Sequence, residues 1–276
     1  MGRGRSVRTM SVRVHDGASR RGPDSLIVEE PMEIRLDDHL VTTTMRTPGH
    51  DFELAVGFCH SEGLLGGAAV SGVRYCGTGS AVTTHFNVVS VSTGGWAPEP
   101  TARIGTTASS CGLCGSETLD RLTDRLDQLR AVTVDWSVLD RVVGQVGEKQ
   151  DLFATTGASH AAAAFRVADG EVVLVREDIG RHNAVDKVVG RMLLDGALPA
   201  MVAGADAMGL WVSGRASFEM VQKAWAGGFV ALASVSAASA LAVETAERAG
   251  IALAGFARDG KVTLYTDADE AERPRT

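Results

Sequence analysis

Strand-like and helix-like segments alternate through the C-terminal part of the chain, and this alternation restricts the fold more than any other feature. From Leu210 onwards, a strand is followed by a helix at 217–226, a strand at 229–235, a helix at 237–249, and strands at 251–256 and 262–265. Helices that alternate with short apolar strands cover the faces of the sheet that those strands form. We therefore predict an α/β fold with a mixed sheet flanked by helices.

The N-terminal part predicts a smaller, β-rich lobe. Residues 33–45 alternate apolar and polar side chains around Asp37-Asp38, as in a hairpin, and a helix opens after Thr47-Pro48-Gly49. Further strands are predicted at 73–76 and 81–91. We divide the chain into a basic, flexible arm at 1–24, a β-rich lobe with one helix at 25–110, and an α/β domain at 111–276.

Composition excludes several classes of protein. The 276 residues are 45% hydrophobic and 22% charged, which is typical of a packed globular core rather than a disordered chain. The formal net charge of −7 argues against a broad nucleic-acid-binding surface, and an aromatic content of 5% argues against base stacking on single strands.

The distribution of cysteines and apolar residues predicts a cytoplasmic protein without a membrane span. The four cysteines are too few for a disulfide framework, so we expect a reducing compartment, and the N-terminus shows no apolar signal segment. Residues 224–243 contain no charge, but their glycine, serine and alanine content favours a buried strand followed by a helix.

The strongest chemical signal is a pair of cysteines, Cys111 and Cys114, in a loop of small residues. A predicted helix at 116–130 follows directly, so its free N–H groups and positive end face the sulfurs. This setting lowers a thiol pKa and favours the reactive thiolate. An unhindered thiolate beside Gly112 suits sulfur transfer, whereas we interpret Cys59 and Cys76 as core residues.

Other interpretations of the cysteine pair remain open from the residues alone. It is compatible with a dithiol–disulfide oxidoreductase, with a structural pair, or with a zinc site completed by Cys76 or a distant histidine. A zinc deaminase is disfavoured because its signature places a glutamate two residues after the histidine and a Pro-Cys-x-x-Cys motif later. Here His160 is followed by two alanines, and the cysteines precede it.

Polar residues also cluster where three predicted strands end. In an α/β sheet, ligands bind at the carboxyl ends of parallel strands, and helix N-termini there favour anions. Residues 153–160 form a capped turn or a ligand loop. Residues 255–262 fall short of a P-loop because Val262 replaces the Ser or Thr that binds Mg²⁺. Turns that are simply exposed to solvent have the same composition, so they are the alternative interpretation of these segments. The candidate binding residues are Arg181, His182, Ser213, Gly214, Arg215, Arg258 and Lys261.

Together these segments resemble the formate dehydrogenase accessory sulfurtransferase family, FdhD, from about Leu26 to Tyr265. One departure is Ala237-Ala238-Ser239, where the family often has a turn containing Pro-Thr. The matching segments are Glu29-Glu30-Pro31-Met32-Glu33-Ile34, Thr47-Pro48-Gly49, Ala55-Val56-Gly57-Phe58, Ser61-Glu62-Gly63, Cys111-Gly112-Leu113-Cys114-Gly115, Thr156-Gly157 with His160, the run 177–187, Ser213-Gly214-Arg215-Ala216-Ser217-Phe218-Glu219, and Gly255-Phe256-Ala257-Arg258.

The resemblance implies a cytidine-deaminase-like fold without its zinc chemistry, and a homodimer. It implies that Cys111, with Cys114 as its partner, takes sulfur as a persulfide from a cysteine desulfurase. The sulfur then passes to the molybdenum cofactor, as bis-molybdopterin guanine dinucleotide, before insertion into the formate dehydrogenase catalytic subunit. The cofactor segment falls on Phe256, Ala257, Arg258, Asp259, Gly260 and Lys261. A zinc-stabilised binding module or chaperone for molybdoenzyme maturation is the alternative; we expect no metal site of the protein's own, no nucleic acid and no membrane partner.

Overall fold

The computed structural model describes residues 4–76, 80–100, 120, 124–200, 207–258 and 260–266. Its strands are β1 (Ser6–His15), β2 (Ala18–Ile27), β3 (Glu30–Leu36), β4 (His39–Arg46), β5 (Gly72–Tyr75), β6 (Val88–Ser92), β7 (His160–Arg166), β8 (Val172–Asp178), β9 (Met208–Val212), β10 (Ala231–Ser234), β11 (Ala252–Arg258) and β12 (Lys261–Thr266). Its helices are α1 (Asp51–Ser61), α2 (Leu139–Glu148), α3 (Asp151–Thr156), α4 (Arg181–Leu194), α5 (Phe218–Ala226) and α6 (Ala240–Ala249), with a 3₁₀ turn at Trp136–Val138.

A six-stranded sheet forms the larger part of the fold, in the order β12-β11-β10-β9-β7-β8. Strands β9, β10 and β11 run parallel, whereas β7 is antiparallel to both β9 and β8, and β12 is antiparallel to β11. Four strands, β8 to β11, therefore point in one direction, and their carboxyl ends lie along one edge. The predicted mixed sheet is confirmed.

Helices cover both faces of this sheet. Along β7, Ala162 and Ala164 face a core formed with α4, α5 and α6, while Ala163 and Phe165 face a second core formed with α2. These β7 side chains are fully buried. Small side chains allow close packing on both faces, and the ring of Phe165 lies where a side chain on Gly209 would stand, 2.3 Å from its Cβ position.

The N-terminal lobe is a four-stranded sheet in the order β4-β3-β6-β5, with α1 packed on it. Strands β3 and β4 form the predicted hairpin around Asp37 and Asp38, whose φ angles are 45° and 67°. Asp tolerates this left-handed conformation, which a two-residue hairpin turn requires. The helix predicted after Gly49 is α1, and it also packs closely on α4 at Gly57 and Gly190.

Residues 6–27, which include most of the basic arm predicted at 1–24, form a two-stranded hairpin, β1–β2. The turn is Asp16-Gly17, both with positive φ, and valines alternate with polar residues along β1. This is a hairpin signal that the basic composition obscured. The base of the hairpin is held by Arg5, whose carbonyl oxygen accepts from the Val28 N–H at 2.9 Å and whose Nη2 donates to Glu177 O at 3.3 Å.

One further segment differs from the predictions, and another agrees with them. The single strand expected at 81–91 is instead a series of turns followed by β6, because His85 and Phe86 adopt left-handed φ angles of 52° and 59° that no strand accommodates. The uncharged run 224–243 spans the end of α5, all of β10 and the start of α6, as predicted. None of the helices within the described ranges is long and apolar enough to cross a membrane.

Candidate functional site

Three polar corners lie along one edge of the six-stranded sheet. Asp178 ends β8 and α4 begins at Arg181, Val212 ends β9 and α5 begins at Phe218, and Arg258 ends β11. Because β8, β9 and β11 point the same way, these ends share an edge. The strand directions therefore agree with the arrangement expected from the sequence.

The first two corners meet around Gly214. A methyl group built on this glycine would lie 3.6 Å from Arg181 Cδ and 3.8 Å from His160 Nδ1. The Ser213 Oγ accepts a hydrogen bond from the Ala161 backbone N–H at 3.0 Å and lies 3.4 Å from His160 Nδ1. The structure thus brings Arg181, Ser213 and Gly214 together with His160, the first residue of β7.

An ion pair joins the N-terminal turns of α4 and α5. His182 Nε2 lies 2.6 Å from Glu219 Oε2, and the hydrogen bond from His182 is the main cause that lowers the pKa of Glu219. The pair fixes the two helix starts beside each other. Glu219 was not among the predicted site residues, and its place in the first turn of a helix gives no sign of its partner.

Both helix starts offer unused donors. Neither Gly180 before α4 nor Ser217 before α5 caps its helix through a side-chain hydrogen bond, so the first N–H groups are free of side-chain partners. Among the residues described, Arg181 Nε and Ser217 Oγ are buried without a hydrogen-bond partner. Donors gathered at two helix N-termini suit an anionic ligand.

The acidic residues near this cluster are used in the fold itself. Glu177 accepts hydrogen bonds from the backbone N–H groups of Leu152 and Phe153 at 2.9 and 2.8 Å, and so caps α3. Asp178 pairs with Lys187 at 2.6 Å. Since these carboxylates are occupied, the cluster presents a cationic surface to a ligand.

The third corner is the bulged end of β11. Phe256 has a φ of 53° and is 41% exposed, and its N–H donates to Ser236 O at 3.1 Å. A side chain on Gly255 would stand 2.9 Å from that same carbonyl oxygen, so only glycine fits. Bulges of this kind redirect side chains at functional sites. The bulge turns the Phe256 ring out of the core.

The rest of the predicted cofactor segment is divided between surface and core. Arg258 and Lys261 are exposed and face each other across the turn that contains Gly260. Ala257 is buried in the core, so its side chain does not reach a ligand. Asp259 lies outside the described residues.

The two clusters are separate along the edge. In the strand order, β11 lies two positions from β9 and four from β8. At ~4.8 Å per strand, the end of β11 is about 10 Å from the end of β9, where Ser213 and Gly214 meet Arg181. Arg215, which follows β9, is exposed. Only an extended ligand would contact both clusters.

Cys111 and Cys114 lie outside the described residues. Cys59 and Cys76 are buried, as predicted. Burial, with the nearby charges of Asp186 and Glu62, raises the pKa of the Cys59 thiol to about 12, which keeps it unreactive. No three His, Cys, Asp or Glu side chains within the described ranges converge as metal ligands would.

Comparison with known proteins gives concordant matches. The sequence model of the FdhD/NarQ family matches residues 27–272. The sulfur carrier protein FdhD of Streptomyces avermitilis is 45% identical over 264 residues, which cover 92% of this chain and 91% of that protein. The sulfur carrier protein FdhD of Mycolicibacterium paratuberculosis is 45% identical over 255 residues, with coverages of 90% and 92%.

A solved structure shares the fold. A formate dehydrogenase accessory protein from Desulfotalea psychrophila superposes with a TM-score of 0.73 at 20% identity, covering 96% of this chain and 99% of that one. The family match begins at residue 27, so the β1–β2 hairpin lies almost entirely before it.

Proposed function

This chain belongs to the FdhD/NarQ family, and from that premise we propose that it is a sulfur carrier that serves formate dehydrogenase. The observation that carries the proposal is the 45% identity with a sulfur carrier protein over 92% of the chain. The family match at residues 27–272 includes both the Cys111-x-x-Cys114 motif and the polar corners of the sheet edge.

The first step in the proposal is sulfur uptake by Cys111. Its thiolate attacks the outer sulfur of a persulfide held by a cysteine desulfurase. A new S–S bond forms at Cys111, the S–S bond of the donor breaks, and the desulfurase cysteine leaves as a thiolate. Cys114 is the partner thiol in the same motif. This chemistry needs free thiols, which a reducing cytoplasm preserves.

The second step is delivery to the molybdenum cofactor, which is a substrate of the protein in this proposal. Bis-molybdopterin guanine dinucleotide is long and carries two diphosphates. The sheet edge supports its binding because it offers cations and unused helix N–H groups at separated points. We assign the guanine end to Phe256–Lys261 and a diphosphate to the cluster of Arg181, His182, Ser213 and Gly214. The formate dehydrogenase catalytic subunit then receives the cofactor, and the chain acts as a homodimer.

Intact mass spectrometry tests the sulfur-transfer step. The protein is incubated with a cysteine desulfurase and cysteine, and each cysteine is replaced by serine in turn. We expect wild type and Cys59→Ser to gain the mass of one sulfur atom, and Cys111→Ser to gain none. A Cys111→Ser protein that still gains sulfur, and still activates formate dehydrogenase in cells, overturns the assignment. The Cys114→Ser protein shows whether the second thiol is required.

A further inference from the structure

His160 occupies the diphosphate end of the proposed site, yet sulfur transfer gives it no role. Its ring is half-buried at the start of β7, beside Gly214 and Arg181. Ser213, 53 residues further along the chain, lies against its Nδ1. An imidazole beside the cation Arg181 therefore calls for a function other than sulfur transfer.

Ser213 can form a hydrogen bond with this ring in either of its charge states. The Ser213 Oγ accepts the Ala161 N–H at 3.0 Å, so its own hydrogen is free for His160 Nδ1 at 3.4 Å. An accepting Nδ1 leaves the ring hydrogen on Nε2. If Nδ1 becomes protonated, the hydroxyl rotates and its second lone pair accepts from the ring. Ser213 can therefore hydrogen-bond the His160 ring in both its neutral and its protonated form.

Burial, together with the charges that face His160, disfavours the protonated ring. Burial and the charges of Arg181 and His182 lower its pKa below 6.5, and Asp178 on β8 opposes them. The other carboxylates nearby are occupied, since Glu219 on α5 pairs with His182 and Glu177 caps α3. Arg181 also lowers the pKa of Glu219 through its charge, but within the part of the chain that the structure describes it forms no salt bridge of its own.

We propose that His160 couples ligand binding to proton uptake: when a diphosphate binds beside Arg181, His160 takes a proton from solvent and becomes a second cation on the phosphate. This inference rests on the proposed function, because it concerns the diphosphate of the same substrate.

The physical reason is a reversal of local charge. Without ligand, burial and the charges of Arg181 and His182 lower the pKa of His160 and disfavour its protonated form. A bound diphosphate contributes at least two negative charges, and a nearby opposite charge favours the protonated ring. Binding is then linked to pH. Affinity falls as pH rises, by up to tenfold per pH unit at the limit of about one proton taken up per ligand.

Isothermal titration calorimetry with GDP measures this proton directly. Titrations at pH 7.5 in buffers of different ionisation enthalpy give the number of protons taken up per GDP. We expect wild type to take up a substantial fraction of one proton more than His160→Gln. His39→Gln, which removes an exposed histidine on the N-terminal lobe, serves as the matched control and should behave as wild type. His160→Gln should lose about three- to tenfold in affinity at pH 6.5 and little at pH 8.5.

The outcomes distinguish the role of His160 from the assignment of the sheet edge to the cofactor. Equal proton uptake by wild type and His160→Gln overturns the role of His160 and leaves the cofactor site standing. If wild type does not bind GDP at all, the assignment of the edge to the cofactor fails, and this inference fails with it. If His160→Gln does not bind GDP, the NMR titration of the His160 ring in wild type decides. A midpoint that rises with saturating GDP supports the proposal, and an unchanged midpoint overturns it.

Discussion

Lys187 Nζ lies 2.6 Å from Asp178 Oδ2, and neither side chain is exposed to solvent. Asp178 also accepts hydrogen bonds from the backbone N–H groups of Thr47 and Gly180, at 3.1 and 2.8 Å. Lys187 donates to Thr47 O at 3.1 Å. The pair thereby connects the N-terminal lobe, the end of β8 and helix α4. It holds in place the turn that presents Arg181 and His182.

Asp178→Asn should strongly destabilise the fold. Burial lowers the pKa of Lys187, and Asp178 opposes that effect. Without the carboxylate, the lysine is left as an uncompensated buried charge or must lose its proton. Breaking a buried pair in this way costs about 3–5 kcal/mol. Urea unfolding at pH 7 measures this loss in the free energy of unfolding. As a control, Asp195→Asn removes the exposed partner of Arg191 and should cost less than about 1 kcal/mol. Equal losses in the two variants would contradict the role of the pair.

The crossing of α1 and α4 gives a second test. A side chain on Gly190 would stand 1.8 Å from Glu53 O, and one on Gly57 would stand 1.8 Å from Asp186 O. Gly190→Ala must therefore push the two helices apart, at a cost of more than about 2 kcal/mol in the free energy of unfolding. Gly144→Ala is the matched control, since this exposed position in α2 has free space and should gain up to about 1 kcal/mol. Thermal unfolding of both variants tests the packing.

The ion pair between α1 and β8 predicts a dependence of stability on acid. Burial alone would raise the pKa of Glu53, but hydrogen bonds from Arg176 and His50 outweigh it and lower this pKa from 4.5 to about 2. Because the folded-state pKa lies below the unfolded value, the stabilisation is fully present above pH ~4.5 and is lost as pH falls towards ~2.

Glu53→Gln should therefore lose about 1–3 kcal/mol of stability at pH 7. The difference in free energy of unfolding between this variant and wild type should narrow steadily as pH falls below ~4.5. Glu171→Gln, which removes an exposed partner of Arg166, should show a small difference at every pH. A Glu53→Gln gap that stays constant down to pH ~2.5 would argue against the lowered pKa.

Local patterns predicted most of the fold, and tertiary packing decided the exceptions. The strand and helix order after Leu210 follows from periodicity alone. Strand β7 does not, because its four alanines favour a helix by intrinsic propensity. They form a central strand here because helices pack on both of its faces and leave room only for small side chains. At the hairpin β1–β2, the Asp16-Gly17 turn was a readable signal that the arginine content obscured.

Only part of the site was predictable, because the side-chain pairs in it depend on tertiary packing. The sequence identifies which residues follow strands, and parallel strands bring those residues to one edge. It does not reveal side-chain pairs such as His160 with Ser213 or His182 with Glu219, whose members are 53 and 37 residues apart. Ala257 shows the reverse case: a contiguous motif assigned it to the ligand, whereas strand alternation places its side chain in the core.

Alkylation should separate the two classes of cysteine. The raised pKa and burial of Cys59, and the burial of Cys76, predict that neither reacts with iodoacetamide in the native protein. We expect native labelling only at Cys111 and Cys114, and labelling of all four cysteines after denaturation. Peptide mass spectrometry locates the labels. Labelling of Cys59 at the rate of Cys111 would refute the distinction.

Arg258→Ala tests the guanine end of the proposed substrate site. Arg258 and Lys261 are directly opposite each other across the β11–β12 turn, and like charges in that relation are destabilising for the hairpin. Arg and Lys side chains donate hydrogen bonds to the O6 and N7 acceptors of guanine, so this pair suits the guanine end. Charge-assisted hydrogen bonds are worth about 1.5–3 kcal/mol, so the variant should weaken GDP binding by about ten- to a hundredfold. Its free energy of unfolding should stay the same or rise, and Cys111 should still accept sulfur.

Arg20→Ala, on the exposed β1–β2 hairpin, should bind GDP as wild type does. If Arg258→Ala binds GDP normally, or loses sulfur loading instead, this corner does not hold the cofactor.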